Sequence, residues 1–167
     1  MPRKMTKLEA VREFEHKAAE RISASDRLEF HLTPLVGWMN DPNGFCYYDG
    51  AYHLFYQYHP YSTVWGPMHW GHAVSTDLLH WNYMPCALAP DTVADAAGCF
   101  SGSAVPMPDG RLLLMYTGVQ PAGTGHKELQ MQCIAAGNGR DFCKDPHNPV
   151  ISTEQLPDGF HAVDFRD

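Results

Sequence analysis

Residues 45–57 read Phe45-Cys-Tyr-Tyr-Asp-Gly-Ala-Tyr-His-Leu-Phe-Tyr-Gln57, two aromatic-rich runs joined by Asp49-Gly50. Aromatic residues favour a pleated, half-buried surface, and Asp-Gly between two such runs is a signal for a tight hairpin turn. Sixty positions later the pattern returns: Ser103-Ala-Val-Pro-Met107, then Asp109-Gly110, then Arg111-Leu-Leu-Leu-Met-Tyr-Thr117, with Tyr116 standing 60 residues after Tyr56. Further along, Gly71–Trp81 aligns with Gln132–Phe142 at an offset of 61, so that Asp77 faces Asn138 and Trp81 faces Phe142. An internal repeat of about 60 residues, built of several strands with turns between them, predicts the blades of a β-propeller. The innermost strands start near Asn40-Asp41, Phe100-Ser101 and Arg166-Asp167, which gives two blades and the opening of a third. Propellers typically have at least four blades. The expectation is therefore that a missing C-terminal portion, or self-association, completes the ring.

Ahead of the strands lies one amphipathic helix, predicted over residues 6–23. Thr6-Lys-Leu-Glu9 fits a capping box, and Leu8, Val11, Phe14 (or Glu15), Ala18 and Ile22 recur at three- and four-residue steps. The reading is a surface helix docked on the main domain, with a partner-binding helix as the alternative. The expected division is a helical extension, 1–26, and a partial propeller domain, 27–167, in an all-β architecture.

Bulk composition removes several functions. A net charge of −7, with no basic run after the first residues, offers no electrostatic footprint for nucleic acid. No apolar run approaches the roughly 20 residues of a membrane span, and no secretory signal is visible, so a cytoplasmic, membrane-free protein is expected. Five cysteines without a CxxC pair read as free buried thiols. Ten histidines invite a metal, but His69 and His72 point to opposite faces of a strand and no HExxH helix exists. Gly123-Thr-Gly125 reads as a loop between strands and not as a phosphate cradle. No metal and no cofactor are expected.

The residues able to do chemistry gather at the inner-strand starts. Trp38-Met-Asn-Asp-Pro-Asn-Gly44 has the composition of a turn, yet Trp38, Met39, Phe45, Tyr47 and Tyr48 surround it, which argues for a packed element with Asp41 at its mouth. Asp41 and Asp167, with Arg166 alongside, would form an anionic pocket. Aromatic walls combined with carboxylate and amide edges match the C–H faces and hydroxyl edges of a sugar. Trp70 and Trp81 read as blade packing, whereas Trp38 and Trp65 are equally open to packing and to ligand contact. Ser101 lacks the G-x-S-x-G setting of a nucleophile elbow, so a sugar contact suits it better.

Six ordered motifs resemble glycoside hydrolase family 32, the β-fructosidases: Trp38–Gly44, Tyr52-His-Leu-Phe-Tyr-Gln-Tyr-His-Pro60, Trp70-Gly-His72, Asp77-Leu-Leu-His-Trp81, Phe100-Ser-Gly-Ser-Ala104 and Phe165-Arg-Asp167. The resemblance runs from about His31 to Asp167. It implies a five-bladed propeller with an appended β-sandwich, and a retaining mechanism on sucrose, sucrose 6-phosphate or fructo-oligosaccharides. By that resemblance Asp41 is the nucleophile, Arg166 and Asp167 grip the fructose hydroxyls, and Trp38, Met39, Asn40, Gln57, Trp65, Phe100 and Ser101 shape the sugar site. The family's acid is a glutamate in a Glu-Cys setting, and neither Glu128 nor Glu154 has that setting. The expectation is a chain with its nucleophile but without its proton donor, and with little activity alone. Fructosyl transfer and a non-catalytic sugar-binding remnant are the alternatives.

Overall fold

The computed structural model describes residues 3–121 and 128–166. Asp167 and the Gly123–Gly125 loop lie outside the described residues. One helix, α1 (Lys7–Ala19), precedes eight strands: β1 (Trp38–Tyr48), β2 (Ala51–His59), β3 (His69–Ser75), β4 (Asn82–Leu88), β5 (Gly98–Pro106), β6 (Leu112–Gln120), β7 (Leu129–Gly137) and β8 (Phe142–Lys144). They form two antiparallel four-stranded sheets, ordered β1-β2-β3-β4 and β5-β6-β7-β8. These are two propeller blades, with inner strands β1 and β5 side by side. The repeat is therefore a repeat of structure, with Tyr56 on β2 matching Tyr116 on β6.

The two Asp-Gly turns differ. Asp49 and Gly50 both have positive φ, 48° and 81°, the two-residue turn whose twist matches that of its strands. In the second hairpin only Gly110 is left-handed (φ 85°). Its N–H donates to the Met107 carbonyl at 3.0 Å, which makes a wider loop from Met107 to Arg111. Arg166 belongs to no strand among the described residues.

Strand β2 is covered on both faces. Phe55 and, on β3, Trp70 turn toward the second sheet and join Leu112, Leu114, Tyr116 and Phe142 in one core. Tyr56 and Tyr58 turn the other way and meet Val11, Val36 and Ala73. Each large apolar side chain so buried contributes about 1.5–3 kcal/mol. Gly71 is required here, because a Cβ would sit 2.1 Å from the Tyr56 ring.

Thr6 caps α1 with the full capping box. The helix ends at Ala19, earlier than its apolar spacing predicts, because Arg21 and Ile22 N–H groups tighten onto Ala18 and Ala19 in a final short turn. Its inward stripe is Leu8, Val11, Glu15, Ala18 and Ile22, while Phe14 is 38% exposed. Strand β4 is irregular opposite Gly71, with Pro85 to Ala87 bulging between paired residues. The amide this frees, Cys86 N–H, donates to Glu15 Oε1 (2.8 Å), and the Cys86 carbonyl accepts from Arg12 Nε (2.9 Å). The helix thus covers an edge strand that would otherwise present unpaired backbone. It also reaches the second blade, where Arg12 pairs with Asp141 (2.6 Å).

Between the blades lies a charge cluster built around the fully buried Asp95. Lys144 Nζ sits 2.6 Å from both Asp91 and Asp95, and the Tyr116 hydroxyl donates to Asp95 at 2.8 Å. All five cysteines are free; Cys86, Cys99 and Cys133 are buried, but Cys143 is exposed, against the expectation of burial throughout. Among the described residues no cluster is placed to hold a metal ion, and no helix is long and apolar enough to cross a membrane.

Candidate functional site

The motif Asn40-Asp-Pro-Asn-Gly44 belongs to a strand, and two bulges shape it. Between the pairs Met39–Tyr58 and Pro42–Tyr56 two β1 residues, Asn40 and Asp41, oppose the single residue Gln57. Between Asn43–Phe55 and Cys46–His53 the pattern recurs, with Gly44 and Phe45 opposite Leu54. Pro42 is tolerated because β1 is the edge strand of its sheet and one side of its ladder is unused. Gly44 is required: its φ is +51°, and a Cβ there would stand 2.9 Å from that of Ala104 on β5. Bulges re-aim side chains. Here the alternation is broken, so Asn40 and Asp41 face one cleft.

That cleft, about 210 Å3, is lined by Asn40, Asp41, Gln57, Trp65, Met68, Phe100, Ser101 and Arg166. A bulge on β5 likewise inserts Ser101 between the pairs Phe100–Thr117 and Gly102–Tyr116. Both inner strands are thus irregular where they meet the cleft.

Gln57 is only 3% exposed. Its Nε2 donates to the Cys99 carbonyl (3.1 Å), and the Asn43 amide, oriented so that both its ends are satisfied, accepts from Gln57 Nε2 (3.0 Å) and backbone N–H (3.2 Å). With both Nε2 hydrogens engaged, the carboxamide oxygen remains for the cleft, an acceptor suited to a hydroxyl. Trp65 and Phe100 meet edge to face at 6.3 Å between centroids and form an aromatic corner. Trp70 is fully buried and donates its indole N–H to the Phe100 carbonyl at 3.0 Å. In the following blade Gln132 has the corresponding role, donating to the Phe165 carbonyl (3.2 Å) and so holding the segment that delivers Arg166.

Trp65 and Met68 ride on the segment between β2 and β3. His59 Nδ1 (3.3 Å) and His69 Nδ1 (2.9 Å) both reach the Pro67 carbonyl, and the Cys99 N–H donates to the Met68 carbonyl (2.9 Å). Gly66 lies flat on His59, where a Cβ would come within 2.6 Å of the ring. Burial lowers His69 to about 4, against the pull of the Pro67 carbonyl, so the ring is neutral near pH 7.

Seven of the residues singled out from sequence converge here. Two do not line the cleft. Met39 packs into the hydrophobic cluster beneath α1 with Tyr56 and Tyr58, because the bulge begins one residue later and strand alternation still holds at Met39. Trp38, half-buried, opens β1 opposite His59. Met68 went unrecognised: it lies outside the polar motifs and reaches the cleft only through the course of its loop.

Comparison with known proteins gives the same direction throughout. A sucrose-6-phosphate hydrolase of Zymomonas mobilis is 57% identical over 154 residues, 90% of this chain and 30% of that protein. The GH32 β-fructofuranosidase of Bombyx mori superposes with a TM-score of 0.82 at 45% identity, covering 95% of this chain and 32% of that structure. A mutant of the same enzyme in complex with sucrose superposes at 0.79 with 44% identity, covering 89% and 31%. The chain spans about a third of the length of these relatives. The family model described as the glycosyl hydrolases family 32 N-terminal domain matches residues 31–167. The chain belongs to glycoside hydrolase family 32.

Proposed function

We propose that the cleft binds a β-fructofuranosyl unit and that Asp41 supplies the nucleophile of a retaining β-fructosidase reaction. The observation that carries this reading is the β1 bulge, which turns Asn40 and Asp41 together into a cleft shared with Gln57, Ser101, Arg166 and an aromatic corner. In the first step an Asp41 oxygen bonds to the anomeric carbon as its bond to the leaving oxygen breaks. In the second, water attacks that carbon and frees Asp41. Gln57 and Asn40 present amide edges to the sugar hydroxyls, and Trp65 and Phe100 cover its apolar face. Arg166, with Asp167, is assigned to gripping hydroxyls on the strength of the family pattern.

A retaining glycosidase needs a second carboxyl, about 5–5.5 Å from the first, to protonate the leaving oxygen. Among the described lining residues Asp41 is the single carboxylate. Positioned proton transfer is worth roughly 10²–10⁴ in rate, so the 167-residue chain is expected to bind sugar and turn it over negligibly. Sucrose is a suitable probe, since it is bound by the Bombyx mori relative. Titration calorimetry of the chain with sucrose and with fructose should give saturable heat that is weakened by Trp65→Ala. Absence of heat for either sugar would sink the binding reading. Glucose release from sucrose that persists in Asp41→Asn would sink the assignment of the nucleophile.

A further inference from the structure

The family model begins at residue 31, so α1 lies outside it. Yet the helix is connected to the cleft by an unbroken series of contacts. Phe14, on the exposed side of the helix stripe, meets Tyr61 at 4.8 Å between ring centroids. Tyr61 stands edge-on to His59 (6.1 Å) and to His69 (5.8 Å). Those two imidazoles converge on the Pro67 carbonyl, two residues after Trp65.

Neither Phe14 nor Tyr61 is needed to fill a core, since they are 38% and 48% exposed. What they contribute is the location of a loop. The Pro67 carbonyl has two lone pairs, and each accepts from a different strand end, one from β2 and one from β3. A loop fixed at that point and at Met68 has little freedom left at Trp65. We infer that α1 is a positioning element for the cleft: Phe14 seats Tyr61, Tyr61 seats the His59–His69 clamp, and the clamp sets Trp65 as the cleft wall. The consequence for sugar affinity rests on the function proposed above; the placement of Trp65 does not.

The test reads Trp65 directly. In the chain carrying 15N-labelled tryptophan, the Trp65 indole signal is assigned by its loss in Trp65→Phe. Phe14→Ala and Tyr61→Ala should each shift or broaden that signal. The Trp70 indole, bonded to the Phe100 carbonyl deep in the core, should stay in place. The double variant should add little to either single one, because both act through one series of contacts. Phe14→Leu, which keeps an apolar side chain on Tyr61, should restore most of the wild-type position and decides the matter if Phe14→Ala perturbs Trp70 as well. A Trp65 signal unchanged in both Phe14→Ala and Tyr61→Ala, or a Phe14→Leu signal no closer to wild type than that of Phe14→Ala, overturns the inference. Where the wild-type chain gives saturable heat with sucrose, Phe14→Ala should weaken binding roughly three- to tenfold, and unchanged affinity would also overturn it. A wild-type chain that binds no sugar would instead remove the proposed function and leave the indole result to stand alone.

Discussion

Gln57 shows how one residue joins packing to recognition. It is as sequestered as a core side chain, and its donors hold the first residues of the next blade to its own. Replacement by leucine keeps the size but leaves the Cys99 carbonyl without its donor and removes one of the two donors to the Asn43 amide oxygen. Leaving buried polar groups unpaired costs about 1–3 kcal/mol, so Gln57→Leu should lower the urea midpoint by that equivalent and weaken sugar binding too. Lys144 carries more. Asp95 is fully buried, and Lys144→Met would strand its charge, for an expected loss of about 3–5 kcal/mol, measurable by thermal or urea unfolding. Loss below about 1 kcal/mol would mean that the cluster contributes little. At this scale motifs mark which residues gather at the cleft, but not which way each side chain points. Asp41, Gln57, Ser101 and Arg166, singled out by their motifs, line one cleft, whereas Met39 packs away from it and Met68, in no motif, joins it. Orientation depends on where the bulge starts, and no local propensity marks that residue.

Among the elements, the strands and Asp-Gly hairpins were legible because alternation, turn chemistry and the 60-residue offset agreed. The bulges were not, since they break the alternation on which such reading depends. Glu15 was half-legible: it occupies an apolar position of the helix, and only the β4 irregularity explains why. Burial raises its carboxyl to about 7, against the Cys86 amide that it accepts. A carboxyl whose folded value is raised contributes stability that is full below its unfolded value of 4.5 and is lost as the pH climbs through about 7. Glu15→Gln keeps the oxygen for Cys86 and removes the titration. It should match the wild type near pH 4 and exceed it by about 3 kcal/mol at pH 8, as read by urea unfolding at each pH. A constant difference between the two proteins across that range would refute the mechanism. His69 and His72 act in the opposite sense. Burial lowers both, and His53 further disfavours charge on His72, so their contribution is present above about pH 6.5 and lost as the pH falls below it. The comparison with Glu15→Gln cancels this second effect, because both proteins share it.

For the molecule as a whole, the main core is shared. Phe55 and Trp70 from one sheet and Leu112, Leu114 and Tyr116 from the other bury one another, so neither blade keeps its inner face dry alone. Unfolding in urea should therefore be a single transition, coincident by tryptophan fluorescence and far-ultraviolet circular dichroism; two separated midpoints would show that the blades are independent. The reach of α1 adds a matter of timing. Arg12 and Asp141 are 129 positions apart in the chain. At about 5–20 residues per second on the ribosome, that separation takes on the order of ten seconds to synthesise. An isolated helix of this length is marginal in water, so it spends that interval without the second-blade contact that later secures it. Arg12→Ala should accordingly accelerate unfolding and leave the refolding rate nearly unchanged, as stopped-flow mixing would reveal. The helix is thus made well before the residue that ties it to the second blade.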